Sequence, residues 1–166
     1  MRYVMILGLC ILGAACDSAG SRPPTAPTAS ATITAHQTQG GARPVEVTFT
    51  KWITAYPAMA GRTGGAVEGT FEGEVLRRTP FDNGVIVELE ARYGVIDPAG
   101  LHSFTAIIQG KQNNQTGTAE LNGVVTDGWL VGAQVHVTFA VISPCADGTR
   151  NTCFQGTISV MPGSAD

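Results

Sequence analysis

Residues 85–93 read VIVELEARY. In an extended chain successive side chains point to opposite faces, which puts Val85, Val87, Leu89, Ala91 and Tyr93 on one side and Glu88, Glu90 and Arg92 on the other. The segment is a half-buried strand. The same period of two recurs outward in both directions. Val45, Val47, Phe49, Lys51 and Ile53 oppose Glu46, Thr48, Thr50 and Trp52, while Val67, Gly69, Phe71, Gly73 and Val75 oppose Glu68, Thr70, Glu72 and Glu74. Val131, Ala133, Val135, Val137, Phe139 and Val141 likewise oppose Gln134, His136 and Thr138. Further strands are expected at 31–37, 101–110, 116–126 and 153–161, which makes roughly eight strands and no helix.

Turn chemistry separates these runs. Asp82-Asn83-Gly84, Asp97-Pro98-Ala99-Gly100, Lys111 to Asn114, Asp127-Gly128 and Ala146-Asp147-Gly148 all carry residues that enter turns or tolerate positive φ. Short turns between consecutive strands make an antiparallel meander. Such a meander either closes into a barrel or folds over as a β-sandwich, and closure leaves no exposed edge. Glycines within the strand patterns, at 69, 73, 123, 132 and 156, favour strong bending. The expected fold is therefore an all-β, antiparallel, roughly eight-stranded barrel over residues 33–162, with the sandwich as the alternative and 163–166 as a tail.

The N-terminus carries a different message. One basic residue, Arg2, precedes an apolar run from Val4 to Leu12, and Gly13, Ala14 and Ala15 lead to Cys16, the pattern of a secretory signal over residues 1–15. The run is shorter than the roughly 20 apolar residues a spanning helix needs. Leu12-Gly13-Ala14-Ala15-Cys16 resembles the bacterial lipobox, which implies cleavage before Cys16 and a lipid on its thiol. It departs from that pattern at Gly13, where an aliphatic residue is usual, and an ordinary signal-peptidase site with a free Cys16 thiol is the alternative. Residues 16–32 then form a spacer rich in Ser, Thr, Ala and Pro without bulky apolar side chains, as in a semi-stiff tether. The expectation is an extracytoplasmic domain anchored to a membrane.

Composition narrows the partners. The formal charge is −3 and becomes more negative when Arg2 leaves with the signal, so nucleic acid is an unsuitable partner. Charged residues are only 14 % of the chain while glycine reaches 21, which suits short strands and tight turns over long surface helices. Cys10 is lost with the signal and Cys16 is taken by the anchor. Cys145 and Cys153 remain, flanking a turn-like ADGTRNT, and outside the cytoplasm such a pair reads as a disulfide clamping a hairpin.

From Gly69 to Val160 the succession GTFEGEV, FTAIIQG, GTAELNGVVTDGWLVGAQVHVTF and CFQGTISV resembles a group of small secreted bacterial proteins of unknown function. In architecture these are similar to the allene oxide cyclase and dirigent barrels. The resemblance rests on strand pattern and glycine placement, so it implies a fold and not an activity.

No catalytic signature stands out. Glu68, Glu72, Glu74, Glu88, Glu90 and Glu120 recur on polar faces and are expected outside the barrel; inside a lumen, paired carboxylates of this kind would serve as acid and base. His36, His102 and His136 lack metal-ligand spacing, and Ser103 and Ser143 lack a nucleophile-elbow context, so no metal, cofactor or hydrolase chemistry is expected. Trp52, Tyr93 and Trp129, with Tyr56, are the candidates for a small-ligand mouth, Trp129 because it follows the Asp127-Gly128 turn. The reading is a membrane-anchored envelope lipoprotein with a non-catalytic barrel, either structural or binding a small apolar ligand. The alternative is a cyclase- or isomerase-like enzyme working in the lumen. A solidly packed lumen would exclude ligand and lumenal chemistry alike, and a lumen holding two carboxylates or a His–carboxylate pair would favour the enzyme.

Overall fold

The computed structural model describes residues 43–163. Eight antiparallel strands follow one another around a closed barrel: β1 (Val45–Ala55), β2 (Ala58–Gly65), β3 (Gly69–Phe81), β4 (Ile86–Ile96), β5 (Phe104–Asn113), β6 (Thr118–Gly128), β7 (Gln134–Ile142) and β8 (Cys153–Met161). Closure comes from β1 and β8, which pair from Val45↔Val160 to Lys51↔Phe154. The sandwich alternative is thereby removed. A barrel of eight strands has an interior that side chains just fill, or that admits one small ligand.

The strand expected at 31–37 lies outside the described residues, as do Cys16, the signal and the spacer. The eighth strand of the barrel is instead β2, whose sequence AMAGRTGG shows no apolar alternation. Its glycines explain both facts. A Cβ at Gly61 would stand 2.3 Å from the Thr50 carbonyl oxygen and 3.1 Å from Lys51 Cβ, so β1 and β2 approach this closely only without a side chain there. Two expected strands also begin later than their periodicity suggested. Leu101 and Val131 lie in turns and are exposed, while β5 starts at Phe104 and β7 at Gln134. The turn expected at Lys111–Asn114 falls at Asn114–Gly117, because Lys111 to Asn113 remain paired with β4 and β6.

Period two sets which face is inside. Val47, Phe49 and Lys51 of β1, Phe71 of β3, and Val87, Ala91, Tyr93 and Val95 of β4 are buried, as are Phe104, Ala106 and Ile108 of β5 and Val135, Val137 and Phe139 of β7. The carboxylates alternate outward as expected, and two of them cross-link strands there: Glu74 meets Arg92 at 2.6 Å and Glu90 meets Arg77 at 3.3 Å. Small and large inward residues interlock. Gly156 faces Phe49 on one neighbouring strand and Phe139 on the other.

Candidate functional site

The two ends of the barrel are built differently. One end is rimmed by the β2–β3, β4–β5 and β6–β7 connections and is packed solid. Val47, Val95, Phe104, Val125, Val135 and Val160 fill it, and Trp129 and Leu130 pack against this core from the β6–β7 turn. Above that layer Phe49, Phe71 and Tyr93 form an aromatic tier, with Tyr93 edge-on to Phe71 at a centroid distance of 4.8 Å.

Over the tier stands Lys51. It is 3 % exposed, the one buried charged or polar residue among those described. Its Nζ donates a hydrogen bond to the Tyr93 hydroxyl and lies 4.1 Å from the Tyr93 ring centre and 4.4 Å from that of Phe139. Phe49, Phe71 and Phe154 stand farther off, at 5.5 to 5.7 Å. Among the described residues no carboxylate lies within ion-pair distance.

Two effects act on the charge of Lys51 in opposite directions. Ring faces favour the ammonium by about 2 kcal/mol or more each when desolvated, within about 6 Å of the ring centre. Burial opposes them, because an ammonium taken out of water loses its hydration. Burial accordingly holds the Lys51 amine well below its ordinary value of 10.5.

Between Lys51 and solvent the other end of the barrel is open, leaving a cavity of about 200 Å³. Leu89, Ala91, Leu121, Phe139 and Phe154 supply apolar walls, with Tyr93 and Lys51 at the floor and Ile53, Tyr56, Arg78 and Gln112 towards the mouth. Arg78 reaches the lumenal side through a bulge: the register of β3 against β4 slips between Val75 and Arg77, so Arg78 pairs with inward Leu89 while Leu76 turns out. The lining contains neither carboxylate nor histidine. Its chemistry is that of an amine, a phenol, a guanidinium and an amide.

The three residues expected to form a ligand rim do not come together. Tyr93 lines the cavity. Trp129 belongs to the opposite, closed end, where its indole packs on His102 at 4.6 Å and its amide donates to the Ser103 carbonyl at 2.8 Å. Trp52 points outward on β1 and carries the Arg150 guanidinium 3.8 Å above its ring. That contact pins the loop between β7 and β8 to the outer wall. Cys145 and Cys153 stand at disulfide distance at the base of the same loop, Cα to Cα 5.3 Å, as the sequence suggested. Asp147 closes the loop tip by accepting from the Thr149 amide at 3.0 Å and pairing with Arg150 at 3.0 Å. The Thr149 amide is the main reason its carboxyl stays below the ordinary aspartate value.

The histidines have structural neighbours. Asp97 accepts from the Ala99 amide, which is the main reason its carboxyl stays below the ordinary aspartate value, and from His102 through both its amide and its ring at 3.1 and 3.2 Å. Ser103 Oγ is engaged by the Asp97 backbone, so Asp97, His102 and Ser103 form a capped turn and no proton relay. His136 lies on the outer face, 2.8 Å from Asn122 Oδ1. His36 lies outside the described residues. Among the described residues no cluster of His, Cys, Asp and Glu has metal-holding geometry. Lys51 is a candidate site residue that sequence reasoning passed over. Its signal was present, since it occupies the inward parity of Val47, Phe49 and Ile53.

Comparison with protein-family profiles, with curated proteins and with solved structures finds no match to this chain.

Proposed function

We propose that this chain is an envelope lipoprotein whose barrel binds one small, mostly apolar molecule at its open end. The observation that carries the reading is the cavity itself: about 200 Å³ of apolar space whose floor is a buried amine hydrogen-bonded to a phenol. A dry cavity of about 150 Å³ holds a benzene molecule, so this one suits a single ring with a short polar substituent. The substituent faces Lys51 and Tyr93, and the ring lies against Leu121, Phe139 and Phe154. The lipobox-like end at Cys16 and the Pro-rich spacer support membrane tethering, with the barrel held off the surface.

Benzyl alcohol is a suitable probe. Titrated into the protein, it should shift the methyl resonances of Met59, Leu89 and Leu121 saturably, and Ala91→Phe should remove the response by filling the space. Absence of any response in folded wild-type protein would refute ligand binding at this site. Cys16→Ala should release the protein from the membrane fraction, and unchanged membrane association with normal processing would refute the anchor.

A further inference from the structure

Lysine is scarce in this chain: it has two, Lys51 and Lys111. One is exposed on β5 and the other is placed, without a counter-ion among the described residues, at the floor of the cavity at the open end of the barrel. We propose that Lys51 captures small aldehydes, preferably those on a single ring, as a reversible imine inside the barrel. The inference rests on the ligand-binding reading and adds the chemical class of the ligand.

Three features of the site converge on that chemistry. The first is position, since Lys51, Tyr93 and Phe139 all line the cavity and a carbonyl carbon at its floor meets Nζ before any other nucleophile. The second is the amine's state. Burial lowers the amine's hold on a proton, which raises the share that carries the lone pair a carbonyl electrophile requires. The third is the Tyr93 hydroxyl, already hydrogen-bonded to Nζ and therefore able to pass a proton between nitrogen and oxygen. An anionic ligand would be met earlier, by Arg78 at the wet mouth, whereas a neutral carbonyl suits the apolar floor.

The step balances without any oxidant or reductant. The Nζ lone pair forms a bond to the aldehyde carbon while the C=O π pair moves to oxygen, and a proton passes from nitrogen to oxygen to give the carbinolamine. The nitrogen lone pair then forms C=N as the C–O bond breaks, the hydroxyl leaving as water with the proton that Tyr93 supplies. Loss of the remaining N–H proton returns Tyr93 to its hydroxyl form. Aldehyde and amine thus give imine and water, and hydrolysis restores both.

The test uses the full chain with its Cys145–Cys153 pair intact. Protein is incubated with benzaldehyde at neutral pH, trapped with borohydride and digested for peptide mass spectrometry, with benzyl alcohol binding followed in parallel by the methyl resonances. The expected result is benzylation of Lys51 over Lys111 by about tenfold or more, because the free-base amine is the nucleophile. Tyr93→Phe should slow Lys51 labelling and change the pH profile of its rate while leaving Lys111 labelling unchanged, and a slowed rate with the same pH profile would overturn the proton-transfer role of Tyr93. Benzyl alcohol binding with no preference for Lys51 would overturn the imine and leave the binding reading intact. Neither labelling at Lys51 nor alcohol binding would overturn both.

Discussion

The closed and open ends of this barrel are made from the same strands and the same alternation, yet one is a packed core and the other leaves a cavity. At the closed end inward positions carry Val47, Val95, Phe104, Val125, Val135 and Val160, and the β6–β7 turn adds Trp129 and Leu130 against them. At the open end the inward series runs out into half-buried Val75, Leu89 and Phe154, and among the described residues no turn folds over them. Between the two regions lies the aromatic tier of Phe49, Phe71 and Tyr93, with Lys51 on its open side. The difference shows how an eight-stranded barrel divides its labour: one half supplies stability, which frees the other half to leave space and to bury an amine that stability alone would not select.

That division is breakable by mutation. Phe104→Ala should cost about 3–5 kcal/mol in denaturant unfolding, the range for a large buried aromatic, whereas Leu89→Ala at the cavity wall should cost less than about 2 kcal/mol because its surroundings are already open. Equal losses would mean that the open end is as tightly packed as the closed one.

The bridge at the open end comes next in size. Cys153→Ala should lower stability by at most about 3 kcal/mol, since the loop it closes is short. The far-ultraviolet β signal should persist, because the barrel's hydrogen bonds do not depend on it. Thiols that alkylate freely in protein from an oxidising compartment would remove this element of the account.

The tier and the amine can be sharpened by a double-mutant cycle. Tyr93→Phe removes the hydrogen-bond partner of a buried group and should destabilise by about 1–3 kcal/mol. In the Lys51→Met background the same change should cost less, because no buried amine is left unsatisfied. Additive losses would show that Tyr93 contributes only packing.

Much of this comparison was legible in the residues. VIVELEARY and its counterparts gave the inward faces, the meander and the outward carboxylates, because one side of each of these strands had to be apolar. Lys51 sat in that inward series, and a charged residue at apolar parity was the signal for the site. Other elements were hidden for physical reasons. β2 pairs through its backbone and is thinned by Gly61, so its pattern carries no hydrophobic trace. The β3 bulge that brings Arg78 to the lumen is a backbone event without a sequence marker. Trp129 was recognised as a rim residue, but which rim depends on strand count. With the meander's connections alternating between ends, the β6–β7 turn falls opposite the β1–β2, β3–β4, β5–β6 and β7–β8 connections that surround the cavity.

The central claim is that burial holds the Lys51 amine well below its ordinary value, and its linkage to folding has a definite sign. A lysine whose folded value lies below its unfolded one leaves the unfolded chain holding more protons between the two values, so stability rises with pH across that window. The slope is at most about 1.36 kcal/mol per pH unit. This contribution is complete above the unfolded value, is lost as pH falls to the folded one, and should vanish in Lys51→Met. The direct measurement is an NMR titration of protein carrying ¹³C-labelled lysine, with the Lys51 Cε resonance assigned by its disappearance in Lys51→Met. The account predicts that this resonance reaches its neutral-amine position well below the ordinary lysine value of 10.5. A Lys51 signal that remains that of an ammonium up to 10.5 would contradict it.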